Sequence, residues 1–255
     1  MRQATWRNLA GIGLVLTGVL AAGRGAAAKP APRCVVVWSE GSAPKDIYPQ
    51  DINGAIAAGL AGLKKWDVVV ANLSDPEQGL PDSLLNRADV LIWWGHKKHG
   101  EVSDALVEKI VRRVKEEGMG FIALHSAHFA KPNQKLMGTP CSFSGYEGDS
   151  ATLKISTLQP KHPIAKGVPA EFTIPHEERY NNPYAVPAPE ALVFDGVYTL
   201  KDGRTSPSQL GFCWTLGKGR MFYFQPGHET NPVYFDPTIR TIIANAVRWA
   251  APGKR

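Results

Sequence analysis

The chain has 255 residues, 44% of them hydrophobic and 20% charged, with 25 glycines, 20 prolines and three cysteines. That hydrophobic share excludes a disordered protein and allows one substantial core. Three cysteines exclude both a disulfide scaffold and a four-thiolate zinc site.

The formal charge of +6 suggests nucleic acid only until its source is seen. Residues 1–28 follow the order of a secretory signal: Arg2 and Arg7, an apolar run from Leu9 to Ala22, then Ala26, Ala27 and Ala28. Cleavage after Ala28 would export residues 29–255 to the periplasm or the medium. The run is too short and glycine-rich to span a bilayer well, so no stable membrane insertion is expected afterwards; a retained anchor is the rival reading. Losing Arg2, Arg7 and Arg24 lowers the balance from 29 basic against 23 acidic groups to 26 against 23. No long Lys/Arg block survives, and no nucleic-acid partner is expected.

The mature chain opens with alternating strand and helix patterns. Cys34–Trp38 is a short apolar run of the kind buried on both faces, and Ile47–Leu63 has helical spacing. Asp67–Ala71 reads as a second strand, Pro81 starts a short helix, and Asp89–Trp94 reads as a third strand. Ser103 caps a helix that runs to about Glu117 and stops at Gly118; Gly120–Leu124 is the fourth strand. Buried strands separated by helices imply parallel βαβ units in a doubly wound α/β sheet with helices on both faces.

From Gly138 the texture changes. Gly, Pro and Ser break up short alternating stretches at Thr152–Leu158 and Ala191–Tyr198, and residues 139–208 read as a loop-rich elaboration of the same domain. Gln209–Leu216 and Arg220–Gln225 flank Gly217-Lys218-Gly219 as a hairpin, and Pro237–Ala250 closes the chain as an amphipathic helix. Cys34 and Cys213 lie in apolar strand-like runs, where an inert buried thiol is the ordinary expectation, and Cys141 lies in a loop.

Four of the seven histidines fall within residues 96–128. His96 and His99 directly follow the third strand, and His125 and His128 the fourth; His228 and Glu229 follow Met221–Gln225. Ligands of open parallel sheets bind outside the carboxyl ends of the strands. Neutral imidazoles and carboxylates suit a borderline divalent metal such as zinc, so His96, His99, His128 and His228 are candidate ligands. His125, Glu178 and Glu229 are candidate catalytic groups, whether as proton carriers or as further ligands. Glu40, Trp94, Ser126 and Tyr180 are candidate substrate contacts, and Trp93, Tyr184, Tyr223 and Tyr234 would also suit sugar stacking. Against each histidine singly stands the plainer role of a loop hydrogen bond, and against the two tryptophans simple burial. Ser126 follows a strand as a nucleophile would, but Leu124-His125-Ser126-Ala127-His128 lacks the glycines of a nucleophile elbow.

The segments WWGHKKHGEV (93–102), ALHSAHF (123–129) followed by KLMGTPC (135–141), and FYFQPGHETNPVYFDP (222–237) resemble the trehalose-utilisation, or ThuA-like, family. The resemblance runs from Cys34 to Pro252. It implies a flavodoxin-like, class I glutamine-amidotransferase-like fold and a role in bacterial carbohydrate catabolism, beside oxidoreductases that make 3-keto derivatives of trehalose-like disaccharides. The wider fold carries a cysteine after the fourth strand and a His and Glu near a late strand. Here His125-Ser126 takes the first place and His228-Glu229 falls near the second, which speaks against glutamine-amide hydrolysis. The expectation is therefore an exported enzyme using a divalent metal on a glycoside or 3-keto-sugar, with a sugar oxidoreductase as pathway partner. A non-catalytic sugar-binding module and a Ser/Cys hydrolase are the alternatives, and the oligomeric state is open.

Overall fold

The computed structural model describes Met1 and residues 31–253, with the side chains of residues 148–151 left aside. The expected signal segment, residues 1–28, lies outside the described residues apart from Met1. The residues from Pro32 onward form one compact unit.

The first half forms as its periodicity demands. β1 (Arg33–Ser39), β2 (Trp66–Asn72), β3 (Val90–Trp94) and β4 (Gly120–Leu124) are all parallel, with β1 between β2 and β3. Between them run α1 (Asp51–Leu60), α2 (Asp82–Leu85) and α3 (Asp104–Lys115). α1 is shorter than the spacing from Ile47 suggests, because Pro49 precedes it and its first residue, Asp51, has a left-handed backbone (φ 59°). Ser103 caps α3 by accepting the Leu106 N–H on its hydroxyl, as expected.

Strand residues alternate between two cores. Val35, Val37, Ile92, Ile122 and Phe222 pack with α1 and the C-terminal helix α5 (Pro237–Ala250), through Ile52, Ile56, Ile239 and Ile243. Val36, Trp38, Leu91, Phe121 and Met221 pack with α3 and α4 (Lys131–Met137), through Leu106, Ile110, Val114 and Leu136. Helices thus cover both faces of a doubly wound sheet.

The second half departs from the expected loops. Residues 143–216 form four antiparallel strands: β5 (Phe143–Thr157), β6 (Glu171–Tyr184), β7 (Ala191–Thr199) and β8 (Thr205–Leu216). They continue the same sheet through β9 (Gly219–Phe224), which pairs antiparallel with β8 and parallel with β4. The full order is β2-β1-β3-β4-β9-β8-β7-β5-β6. Thr152–Leu158, Ala191–Tyr198 and Gln209–Leu216 were legible as parts of β5, β7 and β8, whereas prolines mask β6 and the start of β8, each sitting where a missing N–H is tolerated. Pro175 and Pro183 lie on the edge strand β6, and Pro207 lies on β8 before its pairing with β9 begins.

The antiparallel half also curls. Ser208 Oγ donates to Tyr180 O at 2.9 Å, Tyr198 Oη to Glu178 O at 3.1 Å, and the Gln209 N–H to Asn182 Oδ1 at 3.2 Å. These bonds draw the edge strand β6 over β8, so its residues 177–180 meet the carboxyl ends of β4 and β9. Among the described residues, no helix is long and apolar enough to cross a membrane.

Candidate metal centre at the carboxyl rim

Four segments distant in the chain deliver one cluster. His96 follows β3, His125 follows β4, His228 follows β9, and Glu178 stands on β6. One donor atom from each lies within 4.8 Å of all the others. The three imidazoles form a near-equilateral triangle, with centroids 5.6, 5.0 and 5.3 Å apart and ring planes at 78°, 75° and 88°. Rings facing one another edge-on can aim three nitrogens at a common point.

Each ring is oriented from behind. His125 Nδ1 lies 3.0 Å from the Gln225 carbonyl, and His96 Nδ1 lies 2.6 Å from Glu229 Oε2. Both partners only accept, so both protons belong on Nδ1 and the Nε2 lone pairs are left for a ligand. His228 Nδ1 is met by the Thr230 hydroxyl at 2.7 Å and by the Thr230 N–H at 3.3 Å. His125 has a left-handed backbone (φ 52°), a strain of about 1–3 kcal/mol for a non-glycine residue. Bonds to its carbonyl from Tyr223 Oη (3.0 Å) and His128 Nδ1 (3.1 Å) hold it there.

Glu177 ties two parts of the cluster together. Its carboxylate, fully buried, accepts N–H bonds from Gly227 (2.9 Å), His228 (3.1 Å) and Glu178 (2.9 Å). One side chain therefore fixes the backbone of both Glu178 and His228. Trp94 acts on the same loop: its indole N–H donates to Gly227 O at 3.0 Å.

The charges interlock. Burial works against protonating His125, but Glu178 and Glu177 outweigh it and its pKa is raised. Burial would raise Glu178, but contact with His125 and His228 keeps it low. Burial and the neighbouring His125 lower His228. Glu178 Oε2 is buried with no well-formed hydrogen bond, although His125 Nε2 stands 3.1 Å away. A cluster of imidazole nitrogens with an orphaned buried carboxylate oxygen fits a divalent cation.

The remaining candidates are placed differently from the sequence expectation. His99 and His128 stand outside the cluster. His128 is buried and kept neutral, its pKa lowered to about 3 by burial, with Nδ1 bonded to His125 O and Nε2 3.3 Å from Tyr146 Oη. His99 packs edge-on against Phe129, and burial lowers its pKa too. Glu229 is no free base: burial is outweighed by His96 and Lys97, which hold its carboxylate well below the usual range, with Lys97 Nζ at 2.9 Å. Glu40 anchors the β3 loop, accepting the N–H groups of Lys97 (2.7 Å) and Lys98 (2.9 Å). Trp94 is fully buried, and Trp93, Tyr180, Tyr184, Tyr223 and Tyr234 are buried as well.

Ser126 and Tyr180 do border the cluster. Tyr180 Oη lies 2.6 Å from Ser126 Oγ and 2.9 Å from His125 Nε2. Burial and the nearby Glu178 push the Tyr180 phenol well up, so it keeps its proton. Ser126 thus meets a phenol where a nucleophilic serine would need an imidazole. Cys34, Cys141 and Cys213 are free and buried, and burial raises all three thiols. Glu177 and Gln225 were missed as positioning groups; only the acidic pair Glu177-Glu178 hinted at the first.

No curated protein matches the sequence. Among solved structures, the chain is similar to a ThuA-like protein of Bacteroides uniformis (TM-score 0.64, 18% identity, covering 89% of this chain and 95% of that one). It is also similar to a ThuA-like protein of Parabacteroides merdae (0.62, 13%, 89% and 93%). A chain of PurLQS from Thermotoga maritima shares the fold at greater distance (0.53, 11%, 86% and 99%). These likenesses establish the class I glutamine-amidotransferase-like fold. The family model for ThuA, trehalose utilisation, matches residues 34–250, and the chain therefore belongs to the ThuA family.

Proposed function

We propose that the protein is a metal-assisted enzyme of carbohydrate catabolism, acting on a glycoside or 3-keto-sugar derivative of a trehalose-like disaccharide. The single observation that carries this reading is the convergence of His96, His125, Glu178 and His228 on one point. Family membership supports the sugar.

These four residues would hold the ion, with zinc the best match to three imidazoles and a carboxylate. A divalent ion there would polarise a carbonyl or activate water. The chain's own groups do the rest. Gln225 O and Glu229 set the tautomers of His125 and His96. Tyr180, keeping its proton beside His125 Nε2, can donate a hydrogen bond to an oxygen of the bound sugar. Glu229 and Lys97 form a charge pair behind His96, with Glu229 buried and the Lys97 side chain 57% exposed. The Ser/Cys hydrolase alternative finds no support, because Ser126 and Cys141 are buried without a base beside them.

Elemental analysis of protein purified without an affinity tag tests the metal. Near-stoichiometric zinc or another divalent metal, lost in His228→Ala, is expected; metal far below one per chain in the unaltered protein overturns the reading. Incubating loaded protein with 3-keto-trehalose and trehalose then separates turnover from mere binding. Residues 1–28 are proposed as an export signal and a sugar oxidoreductase as pathway partner. A mature N-terminus at Lys29, read by intact mass on protein from the periplasm or medium, would support export, whereas an uncleaved cytoplasmic chain would refute it.

A further inference from the structure

The six aromatic residues that the sequence offered for sugar stacking are all buried. One tyrosine that it did not offer is left open beside the cluster. Tyr146 is 42% exposed, while Trp93, Trp94, Tyr180, Tyr223 and Tyr234 are at most 1% exposed.

Tyr146 belongs to the same wall as the cluster. It pairs with Tyr180 across β5 and β6, and Glu178 lies two residues from Tyr180, so the three side chains share one face of that strand pair. The ring steps are short: Tyr146 to Tyr180 is 5.1 Å between centroids, and Tyr180 to His125 is 5.0 Å. A single ring therefore separates Tyr146 from the cluster.

The phenol is also fixed in place. Its oxygen accepts the Phe143 N–H at 2.9 Å and lies 3.3 Å from His128 Nε2, whose neutral ring can accept its proton. The ring lies nearly parallel to His128, at 12° and 5.7 Å, and Phe129 flanks it at 5.6 Å. With the hydroxyl committed and one side backed by His128, what Tyr146 presents outward is an immobilised aromatic face. This also gives His128 a purpose outside the cluster, as the support of that ring.

We infer that Tyr146 is the platform of a second sugar subsite, stacking on the apolar C–H face of the pyranose ring adjoining the one held at the cluster. The inference rests on the saccharide reading above and adds to it the residue that holds the second ring of the glycoside. A pyranose suits the place because it combines a C–H face for the tyrosine with a rim of hydroxyls for the polar mouth.

The test is titration of zinc-loaded full-length protein with trehalose and with glucose, followed by calorimetry or ligand-observed NMR. The unaltered protein should bind trehalose more tightly than glucose. Tyr146→Ala should weaken trehalose roughly tenfold, the scale of one well-placed aromatic contact, and leave glucose unchanged. Tyr146→Phe should keep the trehalose preference, because the face and not the hydroxyl makes the contact. Tyr146→Leu fills the space without an aromatic face and should behave like alanine; it replaces alanine if that variant loses metal or melts early. A trehalose preference that survives both Tyr146→Ala and Tyr146→Leu overturns the platform and leaves the saccharide reading intact. Equal affinity for the two sugars in the unaltered protein, or a loss in Tyr146→Phe as large as in Tyr146→Ala, also overturns the platform. No binding of either sugar overturns the platform and the saccharide reading together.

Discussion

The two H-x-x-H pairs look alike in the sequence and divide in the same way in the structure. His96 and His125, one or two positions beyond β3 and β4, enter the cluster; His99 and His128, three residues later, leave it. A residue immediately after a strand inherits the strand's aim at the rim. Three residues further, each chain has entered a 3-10 turn, His99–Glu101 or His125–Phe129, and its side chain packs sideways against Phe129 or Tyr146. Chemical identity is equal in the two members of each pair; position along the turn decides which can be a ligand.

That contrast is broken most directly by metal content. His96→Ala and His228→Ala should each abolish near-stoichiometric metal, whereas His99→Ala should retain it, measured by elemental analysis on tag-free protein. Equal loss in all three would erase the distinction. Loaded protein should also melt higher than chelator-treated protein, by up to about 4 kcal/mol at a free metal concentration about 1,000 times Kd, and the difference should vanish in His228→Ala.

The next effect should come from Gly227→Ala. Gly227 has φ 138°, and a Cβ there would collide with the Tyr234 hydroxyl. Strain and overpacking together should cost about 2–4 kcal/mol in denaturant unfolding and displace His228 enough to lower metal occupancy. A neutral result would show that the β9 loop has room the structure does not display.

Glu177→Gln sharpens the comparison from behind the cluster. The amide keeps the shape but offers an N–H where Gly227, His228 and Glu178 all bring donors. Metal affinity should fall about 10–100-fold, as for outer-shell partners generally, with far-ultraviolet circular dichroism unchanged. Affinity equal to the unaltered protein would demote Glu177 to a packing role. Trp94→Phe removes only the hydrogen bond to Gly227 O and should cost the least, about 0.5–1.5 kcal/mol of stability with metal content intact.

Much of the parallel half was legible because its physics is local. Gly120–Leu124 and Pro237–Ala250 have the bounds their patterns indicate, since a run buried on both faces and a 3.6-residue stripe leave few alternatives. His96 and His228 were legible as members of the rim cluster for the same reason: each follows a strand with an unmistakable pattern. The antiparallel half was legible only in pieces: Ala191–Tyr198 and the hairpin from Gln209 became β7, β8 and β9, but the full lengths of β5 and β6 were not read. β5 carries register shifts near Gly145 and Ala151, so its alternation shows only from Thr152 on, and β6 holds two prolines on an edge that break its own.

His125 and Glu178 were recognised as chemically important, but the sequence left open whether they carry protons or act as further ligands. Glu178 enters the cluster only because hydrogen bonds from Ser208 and Tyr198 fold β6 back over the rim, and no residue near 178 announces that curl. Tyr146 was missed for the related reason that exposure is a property of the folded surface.

The sequence alone determined the class of sheet, its family and the strand ends that carry imidazoles, because burial periodicity and short motifs are written over a few neighbouring residues. Only the tertiary structure decided which histidine of each pair faces inward, which carboxylate completes the group and which aromatic ring stays open. Those choices depend on where a curled edge strand meets three others, and such distances arise from long-range packing that no local pattern encodes.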